Sequence, residues 1–172
     1  MACATVWRIE YCSKVLLFNQ KVKKMDRLEM DFVLDPQLEN DCIFLGEMPL
    51  CRLLLINDKQ FPWFVLVPRR AAIFELYHLS LEDRQIMMAE SCDLSAALAD
   101  GFNATKMNVA SLGNMVKQLH IHHIVRFDTD VAWPAPVWGK QSFKPYNPKE
   151  IKAIRQKVTA LLEAKLSFIA VV

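Results

Sequence analysis

Asn114-Met-Val-Lys-Gln118-Leu-His120-Ile-His122-His123-Ile-Val-Arg126 is the stretch that decides how this chain reads. Three of the chain's four histidines fall within four residues here, flanked by Leu119, Ile121, Ile124 and Val125. β-Branched and leucine residues around polar ones predict a strand. Alternate side chains of a strand share a face, so Gln118, His120 and His122 are expected to project together. Leu119, Ile121, His123 and Val125 then point the other way. Such a row of imidazoles has three readings. The histidines can simply occupy a half-exposed strand, where imidazole is well tolerated. His-x-His also sets two imidazoles on one side, as a zinc site needs, although the local sequence offers no third ligand. Finally, a neutral imidazole can attack phosphorus while its neighbour two residues on protonates the leaving group.

Working outward, Cys42-Ile-Phe-Leu45, Arg52-Leu-Leu-Leu-Ile56 and Trp63-Phe-Val-Leu-Val67 read as strands. Gly46, Pro49 and the loop Asn57-Asp58-Lys-Gln interrupt them. Their near-continuous apolar character implies that both faces of the sheet are covered, one of them by helices. Asp35-Pro36 is placed to open a short helical turn. Ser80 with Asp83 opens a long helix expected over Leu81 to about Asp100, ended by Gly101. Its apolar stripe comprises Ile86, Met87, Met88, Leu94, Ala97 and Leu98. Lys106-Met-Asn108-Val-Ala110 is a further strand, joined to the histidine stretch by the turn Ser111-Leu-Gly113-Asn114. Asn147-Pro148-Lys-Glu150 starts a last helix that aligns Ile151, Ile154, Val158, Leu161 and Leu162 on one face. The order of elements implies an α+β fold with an antiparallel sheet of about five strands and helices on one side. The apolar tail Phe168-Ile-Ala-Val-Val172 shows no periodicity.

Composition narrows the function classes. No stretch is apolar for long enough to span a membrane. The five cysteines are scattered without a Cys-x-x-Cys pair, which argues against a disulfide framework and for a reducing, cytoplasmic setting. Residues 1–24 carry Arg8, Lys14, Lys21, Lys23 and Lys24 against Glu10 alone. The remainder holds 16 basic and 18 acidic residues, which is no electrostatic footprint for nucleic acid. Residues 1–24 read as an N-terminal extension, either a misassigned start before Met25 or a disordered arm, with one domain over 25–172.

The run Gly113-Asn114-Met-Val-Lys-Gln118-Leu-His120-Ile-His122 resembles the histidine-triad (HIT) nucleotide hydrolases and transferases, whose signature alternates three histidines with apolar residues before an arginine. Aligned on Arg126, His120 takes the place of the central, nucleophilic histidine and His122 that of the third, while Gln118 stands where the first would be. Upstream, Leu53 to Arg70 resembles the family's hairpin: Asn57 takes the place of a ribose-contacting asparagine, and Pro62-Trp63 stands where Gly-His is usual. Ala132-Trp-Pro-Ala-Pro-Val-Trp138-Gly139 is similar to the tail of a bacterial subgroup resembling dinucleoside-polyphosphate hydrolases. The resemblance covers about residues 27–165. It implies a homodimer acting on a small-molecule nucleotide, with no metal or cofactor required. His120 would attack the α-phosphorus of a dinucleoside polyphosphate, such as diadenosine tetraphosphate, or of a nucleoside phosphoramidate. His122 would serve the leaving group, Gln118 would orient its neighbours, and Asn57, Asn108 and Asn114 would contact ribose and phosphate. Trp63 would stack on base or ribose. The alternative reading is a catalytically weak nucleotide-binding or regulatory protein of the same fold.

Overall fold

The computed structural model describes residues 31–171, so the expected extension over 1–24 lies outside the described residues. Residues 34–68 and 72–171 form a compact body that holds the whole sheet.

Short helix α1 (Pro36–Asp41) begins where Asp35-Pro36 predicts, the Asp35 carboxylate accepting from the Gln37 backbone N–H at 2.9 Å. It leads into β1 (Cys42–Glu47), β2 (Cys51–Ile56) and β3 (Trp63–Pro68), an antiparallel meander. Helix α2 (Leu81–Phe102) follows, then β4 (Lys106–Ala110), β5 (Ile121–Arg126), α3 (Pro148–Glu163) and β6 (Ile169–Ala170). Among the described residues the sheet has six strands in the order β4-β5-β3-β2-β1-β6, every pairing antiparallel. The expected fold class therefore holds with one strand more than expected. The extra one is the aperiodic C-terminal tail, whose Ile169 and Ala170 pair with Glu47 and Gly46 of β1. Periodicity could not reveal it, because a two-residue edge strand has no period. Gly46 sits at a bulge in β1, where a Cβ would collide with the Ile169 carbonyl and the Phe168 ring.

The core lies between the sheet and the two long helices. Phe64 and Leu66 of β3, Leu53 and Leu55 of β2, and Ile121 and Val125 of β5 meet Met87, Leu94, Ala97 and Leu98 of α2 and Val158 and Leu162 of α3. All six positions of β3 are buried, as a strand covered on both faces must be. Helix α3 opens with the full reciprocal Asn147–Glu150 capping box. Helix α2 departs from expectation in two ways. It runs on to Phe102 and is closed by Asn103 in the left-handed conformation (φ 51°), because Gly101 is used for packing: its missing Cβ admits the Leu161 side chain of α3. Met88, expected in the apolar stripe, is 58% exposed. Its neighbour Glu90 turns inward instead, accepting the backbone N–H groups of Leu50 (2.6 Å) and Cys51 (3.0 Å) with its two carboxylate oxygens. The β1–β2 turn is thereby tied to α2.

Glu90→Ala removes the carboxylate that accepts from the buried Leu50 and Cys51 N–H groups and is expected to cost roughly 3 kcal/mol. Urea unfolding measures this directly, and a change below about 1 kcal/mol would mean that water reaches the turn.

Candidate active site

His120 and His122 come together as the alternation predicts, their rings 4.8 Å apart and nearly perpendicular. The regular strand, however, starts only at Ile121, so Gln118 precedes it. Both imidazoles are deeply set, 4% and 6% exposed, and both line one cleft of about 340 Å³. That volume is in the range of small-molecule sites. Around the histidines the walls are largely apolar: Leu38 of α1, Ile56, Trp63, Leu112, Met115 and Val116, with Trp138 and Phe143 from the loop after β5. Asn114 and Asp41 add polar groups.

Hydrogen bonds assign the protons of the two rings. His120 Nδ1 lies 2.7 Å from the Gln118 carbonyl, which can only accept. Nδ1 therefore carries the hydrogen, and in the neutral ring Nε2 keeps its lone pair. His122 Nδ1 lies 2.9 Å from Trp63 Nε1, and an indole N–H can only donate. His122 Nδ1 is therefore bare, and the neutral ring carries its hydrogen on Nε2. Burial first, then the neighbouring His120 and His123, hold His122 down to about 3 from its ordinary 6.5.

The other expected site residues divide. Trp63 is 3% exposed, and its indole is fixed edge-on by Trp138 at 5.3 Å and Phe143 at 6.5 Å. Its polar edge faces His122. Asn114 lines the cleft. The Gln118 side chain accepts from the Asp35 backbone N–H at 2.9 Å, anchoring the start of α1; its backbone carbonyl is what touches His120. Asn57 is absent from the cleft wall, and its Oδ1 accepts from the Tyr146 N–H at 2.9 Å. Beside it, the Asp58 carboxylate accepts from the Lys144 N–H at 3.1 Å, and Lys59 N–H donates to the Lys144 carbonyl at 2.9 Å. This seam docks the segment that carries Phe143. Asn108 lines a different cleft, of about 420 Å³, between β4 and Pro134, Pro136 and Trp138. Its Oδ1 accepts from Arg126 at 2.6 Å. Among the described residues, no three His, Cys, Asp or Glu groups converge where a metal ion could sit.

Two features were missed in the sequence. Trp138 contacts both His122 (5.5 Å) and Trp63, and stands between the two clefts. The loop bearing it is held by Arg126, whose guanidinium binds Asp130 at 2.6 and 3.0 Å and the Ala135 carbonyl at 3.0 Å. Burial alone would raise the Asp130 carboxyl, but Arg126 and the Ala132 and Phe127 N–H groups outweigh it and hold it below the usual range. An arginine directly after His-His-Ile-Val, with an aspartate four residues on, was the available signal.

Comparison with known proteins agrees with this geometry. The family model described as the HIT domain matches residues 37–129. A histidine triad protein from Marinobacter aquaeolei VT8 is 48% identical, with a TM-score of 0.76 over 78% of this chain and 98% of its own. The chain belongs to the histidine triad family. A HIT protein from Sinorhizobium meliloti 1021 is 37% identical (TM-score 0.76, 78% of this chain and 99% of its own). A third, from Bradyrhizobium japonicum, is 35% identical (TM-score 0.73, 78% and 98%). Among curated proteins, none matches the chain. Membership supports a nucleotide-binding or nucleotide-hydrolysing function of the HIT type. Among the described residues, no helix is long and apolar enough to cross a membrane.

On the opposite face of β5, His123 is fully buried, its Nε2 2.8 Å from the Ser91 hydroxyl of α2 and its Nδ1 3.2 Å from the Ile121 carbonyl. Burial lowers it to about 4, the bonds to Ile121 and Ser91 offsetting only part of that. An unfolded histidine titrates near 6.5, so below that pH the unfolded chain binds protons that the folded chain refuses. The stability associated with His122 and His123 is therefore complete above pH 6.5 and is lost as the pH falls towards 4 and 3. His123 accounts for roughly 3 kcal/mol of this loss. Urea titrations between pH 7.5 and 4.5 should show His123→Phe less stable at neutral pH but with roughly half the acid-side slope of the wild type. An unchanged slope would mean that His123 is protonated in the folded protein.

Proposed function

We propose that this HIT protein is a nucleotide hydrolase or nucleotidyl transferase working through a covalent nucleotidyl-histidine at His120. The observation that carries this reading is the bond from His120 Nδ1–H to the Gln118 carbonyl, which leaves the Nε2 lone pair available in the ring that lines the cleft. The lone pair attacks the α-phosphorus of a nucleoside polyphosphate, dinucleoside polyphosphate or nucleoside phosphoramidate, and the bond to the leaving group breaks. Water then cleaves the P–N bond, returning the electron pair to Nε2 and releasing a nucleoside monophosphate. His122, presenting Nε2–H, and Asn114 stabilise charge developing on the phosphoryl oxygens and leaving group. The apolar wall of Leu38, Ile56, Met115 and Phe143 offers a surface for a base. A cytoplasmic location and pairing of two copies belong to the same reading.

A second reading, nucleotide binding without turnover, is favoured by Gln118, which replaces an ionisable group with an amide and engages the Asp35 backbone. One experiment separates the two. Wild type and His120→Ala are each mixed with diadenosine tetraphosphate and with adenosine phosphoramidate, and intact mass and released AMP are followed. The hydrolase reading expects an AMP adduct in the wild type and a loss of AMP release of roughly 10³-fold or more in the variant. Equal background release from both proteins, with a nucleotide still raising Tm, would leave the binding reading.

A further inference from the structure

The bond between Trp63 and His122 does more than hold a ring in place. A histidine at position 63 could donate or accept, and so could follow His122 through a change of protonation. Tryptophan cannot. Its N–H only donates, 2.9 Å from Nδ1, in a pair that is almost fully buried and clamped by Trp138 and Phe143. An imidazolium at His122 would set two N–H groups against each other with no water to relieve them. The two site histidines are thereby held in opposite tautomers, His120 with a bare Nε2 and His122 with a protonated one.

We infer that Trp63 is a positioning residue that fixes His122 as a neutral Nε2–H hydrogen-bond donor, and that the cleft consequently works on nucleotides whose leaving group departs as a phosphate or polyphosphate anion rather than as an amine. This rests on the nucleotidyl-transfer reading above. The reason is proton balance. When His120 Nε2 forms its bond to phosphorus, the bond to the leaving atom breaks and that atom takes the electron pair. A phosphate oxygen is stable with that pair as an anion, and a hydrogen bond from His122 is sufficient help. A departing amine nitrogen must gain a proton in the same step. Neutral His122 can supply one only by becoming an imidazolate, and the indole behind it has no proton to pass on at neutral pH. The resulting nucleotidyl-imidazolium at His120 is attacked by water, whose hydroxyl oxygen bonds to phosphorus and whose remaining proton goes to solvent. No proton held by His122 is consumed. The depression of His122 to about 3 agrees with this geometry: at neutral pH there is no cationic form to draw on.

The test has a spectroscopic and a kinetic arm, both on the full chain. Two-bond 1H–15N correlation spectra of labelled protein, with His122 assigned through single histidine variants, should show a bare Nδ1 and a protonated Nε2 unchanged from pH 5 to 8. In Trp63→Phe the resonances should become pH-dependent, and in Trp63→His likewise should Phe not fold. A protonated Nδ1 in the wild type overturns the assignment. At pH 7, kcat/KM for diadenosine tetraphosphate should exceed that for adenosine phosphoramidate by roughly 100-fold, the scale of a missing general acid. Trp63→His should narrow that ratio by roughly tenfold. Equal rates in the wild type overturn the leaving-group preference while leaving nucleotidyl transfer through His120 intact. Turnover of neither substrate withdraws the preference together with the hydrolase reading, and the spectra then decide the role of Trp63 by themselves.

Discussion

Everything at the cleft depends on the register between β3 and β5. Trp63 pairs with Ile124 and Val65 with His122, so the indole and the imidazole are diagonal neighbours on one face of the sheet. A slip of one residue would send both site histidines towards α2 and bring His123 into the cleft. Two things forbid the slip. Ile121 and Val125 are committed to the helix-side core with Phe64 and Leu66. His123, alone among their apolar neighbours, requires a polar partner within α2 and finds it in Ser91. Moving His123 by one position would strand both the ring and the hydroxyl, and a buried polar group without a partner is costly. The third histidine, which takes no place in the cleft, is thus the peg that keeps the other two there.

Much of the fold was legible because its signals are local. Apolar runs locate the strands at Cys42, Arg52 and Trp63, alternation locates the one at Lys106, and the side chains of Asp35, Ser80 and Asn147 cap their helices within two or three residues. His120 and His122 share a face for the same reason. What escaped is non-local. Gln118 meets a backbone N–H 83 residues away, and Asn57 meets one 89 residues away. An amide side chain carries a donor and an acceptor, and nothing in its neighbourhood says which will be engaged or by what. Glu90 was hidden for the related reason that a carboxylate in a helix reads as solvated until the turn it serves is in place. Gly101 read as a stop because the competing demand, room for Leu161, comes from another helix.

These displaced amides share a pattern. The family resemblance implies site roles for Gln118, Asn57 and Asn108, and in each the oxygen accepts from the protein itself: from the start of α1, from the segment before α3, and from Arg126. The polar work inside the cleft is concentrated on two imidazoles, Asn114 and Asp41, with aromatic and aliphatic walls around them. A site so lined depends on geometry rather than on a surplus of donors.

That dependence explains the buried ion pair after β5. Arg126 is 1% exposed and Asp130 4% by side chain, and such a pair contributes little net stability because both charges are desolvated. What it supplies is definition. Arg126 continues the face that bears His120 and His122, and four hydrogen bonds from its guanidinium hold Asp130, the Ala135 carbonyl and Asn108. The loop so fixed buries Ala132 and Val137 and delivers Trp138 against both His122 and Trp63. Trp138 in turn helps exclude the water that would otherwise compete for the indole N–H and make the protonation of His122 negotiable. In a water-poor site the Trp63–His122 bond gains strength and exclusivity. The arginine at the far end of β5 and the tautomer of the histidine near its start are thus parts of one arrangement, joined through a loop.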